Sequence, residues 1–271
     1  MSFESRVAWI TGASSGIGAA LARELASRGA HVVLSGRDEV RLAAVAEGLA
    51  TESLCLPFDV RDDDAMAAAT RAAIDWRGGV DIAVANAGVS QRGAARKTDM
   101  HVYREIVAID LVQQIAFAQG LVPHMADRGS GRLVFMSSIA GKVGVPMRTA
   151  YCAAKFGLVG YADALRAELS QSGVEVHVVA PGSVATDVSR NALTADGSRR
   201  GKSDPAIDNG IPPDEAAREM VDAIALNQRE IIVARGMEEA LGKLRQTPDQ
   251  VFDQVAAMVA GGYMEKMEAE G

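Results

Sequence analysis

The chain has 271 residues, 48% of them hydrophobic and 23% charged, with a formal net charge of −7. That length and composition support one α/β domain with its own core, and they exclude disordered, fibrous and disulfide-scaffold classes. The acidic balance argues against a nucleic-acid partner.

The N-terminus, "MSFESRVAWITG", shows no signal-peptide succession, and no apolar run is read as long enough to cross a bilayer. A soluble cytoplasmic protein with no membrane partner is expected. Cys55 and Cys152 lack CxxC spacing and fit a reducing compartment. His31, His101, His124 and His177 are scattered without HExxH pairing, so no metal is expected.

In chain order, short β-branched runs alternate with longer alanine-rich segments of helical period. "RVAWI" precedes a helix over 16–28, "HVVLS" one over 38–50, and "SLCLPF" one over 62–76. "DIAVA" then leads to a long helix over 98–127, and "GRLVFM" to one over 149–172. "VEVHVVA", a helix starting near Pro213 and "EIIVA" follow. Strands spaced by such helices predict a single Rossmann-type domain over 1–271, a doubly wound parallel sheet of about seven strands with helices on both faces. The irregular stretch 186–213 is expected to be a substrate loop or lid. Its basic segment "SRRGKSD" reads as solvated, with attraction of an anionic substrate as the alternative. Residues 236–271 read as a C-terminal extension of one or two amphipathic helices.

"TGASSGIG" places Gly12, Gly16 and Gly18 between a strand and a helix, where backbone amides can face phosphates. Its G-x-x-x-G-x-G spacing differs from G-x-G-x-x-G, and it lacks the G-K-[ST] of an ATP-binding loop. At the end of the second strand, "VVLSGRDEV" has Gly36 where an acid would hold the ribose 2′-hydroxyl, followed by Arg37, which suits a 2′-phosphate. NADP is therefore expected over NAD, with Asp38 free to cap the next helix.

"AYCAAKFG" sets Tyr151 and Lys155 on one helical face. A free tyrosine loses its proton only near pH ~10, and a neighbouring cation favours the phenolate. Tyr151 could then serve as general acid or base toward an oxygen.

With the glycine turn, "YCAAK" and the serine pair of "FMSSIAG" together, the chain resembles the classical short-chain dehydrogenase/reductase family from about residue 6 to about residue 190. The resemblance implies Ser138 as substrate-orienting serine, with Ser137 its neighbour, beside Tyr151 and Lys155. It implies cofactor contacts from Gly12, Ser14, Ser15, Gly16, Ile17, Gly18, Asp59, Val60, Asn86, Ala87, Gly88, Pro181, Gly182, Val184 and Thr186, with Lys155 on the ribose. It also implies a small carbonyl or alcohol substrate and a homodimer or homotetramer. After Thr186 the chain is similar to a membrane-attached dehydrogenase/reductase subgroup, although no anchor is read.

One departure concerns chemistry: "REIVAIDLVQQ" has Asp110 where the family carries an asparagine, and an ionised Asp110 would oppose Lys155. This opens a second reading, a dinucleotide-binding sensor or scaffold with little turnover. Gln91, Val145 and Met147 are candidate pocket residues for an apolar substrate.

Overall fold

The structure, a computed structural model, describes residues 2–270. Met1 and Gly271, the ends of the expected domain and extension, lie outside the described residues. The strands are β1 (Val7–Thr11), β2 (His31–Ser35), β3 (Ser53–Cys55), β4 (Ile82–Ala85), β5 (Gly131–Met136), β6 (Val174–Pro181) and β7 (Glu230–Val233). They form one parallel sheet in the order β3-β2-β1-β4-β5-β6-β7. The winding reverses between β1 and β4, and the crevice beyond their carboxyl ends is where such folds bind ligands.

The helices are α1 (Gly16–Ser27), α2 (Glu39–Glu47), α3 (Asp63–Asp75), α4 (Met100–Val107), α5 (Gln113–Gln119) and α6 (Val122–Asp127). They continue with α7 (Thr149–Glu168), α8 (Pro205–Asp208), α9 (Pro213–Ala225), α10 (Gly236–Leu244), α11 (Asp249–Ala260) and α12 (Tyr263–Glu270). Asp38 caps α2 by accepting from the Arg41 amide at 3.0 Å, and Asp62 caps α3 through the Ala65 amide at 2.9 Å.

Side chains alternate across the sheet as a pleat requires. Ala8 and Ile10 of β1 join Leu21 and Leu25 of α1 and Met220 of α9 in one core layer. Val7 and Trp9 join Phe117 of α5, Met125 of α6 and Leu158 of α7 in the other. Trp9, fully buried, meets Phe117 edge-on at 4.7 Å and donates its indole N–H to Ser35 at 2.8 Å, so its polar atom is satisfied. A buried ion pair joins Lys142, just past β5, to Glu230 at the start of β7, each side chain 4% exposed.

Four expectations differ from the structure. The helix expected over 98–127 is broken into α4, a π-helical stretch at Ala108–Val112, α5 and α6. Taken as one run, Met100–Asp127 is long and apolar enough to span a membrane by length and composition, contrary to the sequence reading. Its Val102, Ile106, Phe117, Leu121 and Met125 are nevertheless buried in the core. The C-terminal extension forms three helices rather than one or two, because Pro248 and the pair Gly261 and Gly262 interrupt its apolar period. The stretch 186–213 also holds α8.

Candidate active site

A cleft of about 1220 Å³ opens at the carboxyl ends of the strands, and every residue that sequence reading assigned to cofactor or chemistry lines it. Its floor is the turn between β1 and α1. Gly12 and Gly16 adopt φ of +66° and +54°, which favour glycine. A Cβ on Gly18 would lie 2.2 Å from the Gly12 carbonyl oxygen, so the turn closes only around a bare backbone. Ser15 caps α1 without a side-chain hydrogen bond, leaving first-turn amides directed at the cleft. Thr11 Oγ1 accepts from the amides of Asn86 and Ala87, and Asn86 Nδ2 donates to the Thr11 carbonyl at 2.9 Å, tying the β4 end to the cradle. A backbone cradle at a helix N-terminus fits the pyrophosphate of a dinucleotide.

At the adenosine end, the Arg37 side chain is 70% exposed and lies 4.0 Å from Asp59. A cation sequence reading missed, Arg61, holds Asp59 with Nε at 3.0 Å and Nη2 at 2.6 Å, and also reaches Glu105 at 2.7 Å. Hydrogen bonds from Arg61 hold the Asp59 carboxyl below its usual range. The Asp-x-Arg spacing of "FDVRD" was the available signal.

At the other end, Tyr151 lies in the first turn of α7 and Lys155 one turn on. The Lys155 ammonium sits 5.6 Å from the Tyr151 ring centroid, so both point to the same side. Lys155 Nζ donates to the Met136 carbonyl at 2.8 Å and lies 3.6 Å from Asp110 Oδ2. Ser138, at the end of β5, accepts from the Ala140 amide at 3.1 Å and faces the cleft. Its neighbour Ser137 is buried and donates to the Lys155 carbonyl at 3.0 Å, which commits it to holding α7 on β5.

Asp110 occupies the π-helical turn and is fully buried. Oδ1 accepts from the Val89 amide at 2.7 Å, whereas Oδ2 has no hydrogen-bond partner. Burial pushes its carboxyl up to about 6, against the pull of the Lys155 cation and the Val89 amide.

The three proposed pocket residues do not line the cleft. Gln91 is fully buried, accepting from the Ala150 amide at 2.8 Å. Val145 receives and returns contacts to Cys152, and Met147 sits at φ 68° with its carbonyl taken by the Gly93 amide. Leu193, Ile207, Arg190 and Arg199 line the cleft instead, carried there by the loop, while Arg200 of the basic segment pairs with Asp204. No spacing in the sequence marks them.

The family model described as short chain dehydrogenase matches residues 6–197. A zebrafish (Danio rerio) protein named dehydrogenase/reductase SDR family member 7B is 35% identical over 85% of this chain and 78% of its own length. An Anopheles gambiae protein named SDR family protein 7-like is 34% identical over 91% of this chain and 80% of its own. Among solved structures, a metagenomic short-chain oxidoreductase in complex with NADP is 32% identical with a TM-score of 0.71, covering 87% of this chain and all of that one. A short-chain dehydrogenase from Streptomyces avermitilis shares the fold at a TM-score of 0.78 over 97% of this chain and 98% of that one, with 23% identity.

Proposed function

This chain belongs to the short-chain dehydrogenase family and is an oxidoreductase, and from that premise we propose that it is NADP-dependent and interconverts a carbonyl compound and an alcohol. The observation that carries the proposal is the Lys155 ammonium 5.6 Å from the Tyr151 ring, in the cleft that also holds Ser138.

The turn from Gly12 to Gly18, with Asn86, Ala87 and Gly88, would hold the dinucleotide's phosphates and ribose. Val184 and Thr186 would hold its carboxamide, and Arg37 the 2′-phosphate, with Gly36 leaving space where an acid would repel it. When bound, the cofactor supplies or takes up hydride. Tyr151 gives its hydroxyl proton to the carbonyl oxygen in reduction and takes it back in oxidation. Ser138 donates a hydrogen bond to that oxygen as charge develops. Lys155, held in place by the Met136 carbonyl, would bind the cofactor ribose and sets a positive charge beside Tyr151.

We extend the proposal to a soluble cytoplasmic homodimer or homotetramer that does not bind nucleic acid. One domain carries 186–213 as substrate loop and 236–271 as helical extension, and the apolar Leu193 and Ile207 favour an apolar substrate. The test is NADPH consumption over aldehydes, steroids, sugars and acyl ketones, with NADH in parallel. Tyr151→Phe should abolish turnover while cofactor fluorescence still reports binding. Equal turnover in the variant would remove the acid/base role. Cofactor binding without turnover in the wild type would favour the sensor reading that Asp110 raises.

A further inference from the structure

Outside the lining of the cleft, three arginines converge on one carboxylate. Arg92, just past β4, reaches Asp204 Oδ2 through Nε at 2.7 Å and Nη2 at 2.6 Å. Arg148, immediately before α7, lies 3.6 Å from the same oxygen, and Arg200 pairs with Oδ1. Among the described residues, none of the three pairs with another carboxylate. The cluster is sheltered: side-chain exposure is 10% for Arg92, 25% for Arg148, 18% for Arg200 and 21% for Asp204. Burial and the charge of Arg148 both work against the Arg92 cation, so Asp204 is the counter-ion that makes the cluster tolerable.

The cluster ties segments that must keep register. Asp204 closes the loop's far end, its amide donating to Ser189 Oγ at 2.9 Å. The near end is sewn to the β4 extension, with the Leu193 amide donating to the Ser90 carbonyl at 2.9 Å and the Arg92 amide to the Leu193 carbonyl at 2.8 Å. Between Ser90 and Arg92, Gln91 receives the Ala150 amide, one residue before Tyr151.

We infer that Asp204 is a positioning residue: by neutralising Arg92, Arg148 and Arg200 it pins the 186–204 loop to the segment that carries Tyr151, fixing the substrate wall of the cleft against the acid/base group. This rests on reading the cleft as an oxidoreductase site. Removing the charge leaves three like cations without a counter-ion, Arg92 keeping only its neutral acceptors Ser90 and Gln91, and the loop's far end, where Asp204 sits, takes the strain.

The test compares wild type, Asp204→Asn and Asp204→Glu by limited trypsin digestion, which reads Arg190, Arg199, Arg200 and Lys202 in the loop, and by steady-state kinetics. Asp204→Asn should speed loop cleavage by about tenfold or more, as local opening becomes easier. Substrate KM should rise by about tenfold with kcat changed less and cofactor Kd within about twofold. Asp204→Glu should restore most of both, and adding Arg148→Gln to Asp204→Asn should slow cleavage again by removing one like charge. Loop cleavage in folded Asp204→Asn within about twofold of wild type would overturn the inference. Faster cleavage in a protein with no measurable turnover would support the pin while striking the oxidoreductase reading. Should Asp204→Asn not fold, Arg148→Gln alone cuts the link to the segment of Tyr151: faster loop cleavage supports the pin, and cleavage within about twofold of wild type overturns it.

Discussion

Replacing Asp110 by asparagine removes a charge while keeping size and shape, so it isolates one electrostatic contribution. With Lys155 Nζ 3.6 Å from Oδ2, an effective dielectric of about 20 gives an attraction of roughly 4–5 kcal/mol when both groups are charged. The carboxyl nonetheless stands at about 6 rather than 3.8, so burial outweighs that attraction by about 3 kcal/mol. Because the folded value lies above the unfolded one, the native state holds an extra proton between about pH 4 and 6. Stability from this group is therefore greatest below that window and falls by up to about 3 kcal/mol as pH rises through it. Asp110→Asn lacks this loss. Its melting temperature relative to wild type should rise by several degrees between about pH 4.5 and 7.5, measured by calorimetry. In kinetics, the ionised carboxylate holds part of the Lys155 field away from Tyr151. For alcohol oxidation, kcat/KM against pH should lose its inflection near 6 in the variant. Profiles that superimpose, with a melting difference constant across pH, would refute the electrostatic reasoning.

Gly18→Ala places a methyl 2.2 Å from the Gly12 carbonyl oxygen, and should weaken dinucleotide binding by about 100-fold or more, read by cofactor fluorescence titration. Arg37→Ala should lower the ratio of kcat/KM for NADPH over NADH by about tenfold or more, and an unchanged ratio would reassign 2′-phosphate recognition. Glu230→Gln strands the buried Lys142 ammonium and should cost about 3–5 kcal/mol in urea unfolding. Phe117→Ala empties the space beside Trp9 and should cost about 3–5 kcal/mol in the same measurement.

The elements most legible in the sequence were those whose signal is local. The β1 to α1 turn announces itself because only glycine tolerates its angles and close approaches, and Tyr151 and Lys155 because helical spacing alone sets them on one face. The strands showed because fully covered parallel strands are short apolar runs. The π-helical turn at Asp110 was not legible, since one extra residue per turn leaves the apolar period almost unchanged over 98–127. The Arg61 lock on Asp59 lay two residues away, yet a surface Asp-x-Arg is ordinary. The Arg92–Asp204 contact joins residues 112 apart, and it is created by topology that no periodicity encodes. Gln91, Val145 and Met147 were misplaced for a related reason: nearness in sequence to Asn86 and Tyr151 does not say which way a loop side chain turns.

The strand order has a bearing on how the chain is built during synthesis. As it emerges from the ribosome, β2 is laid on β1 and β3 on β2; β4 then takes the free side of β1, and β5, β6 and β7 follow outward in turn. No strand has to wait for a neighbour still untranslated. The glycine turn and the β4 end tied to it are therefore in place well before the tyrosine and lysine arrive, whereas the far wall of the cleft, Pro181 to Thr186, is made later still.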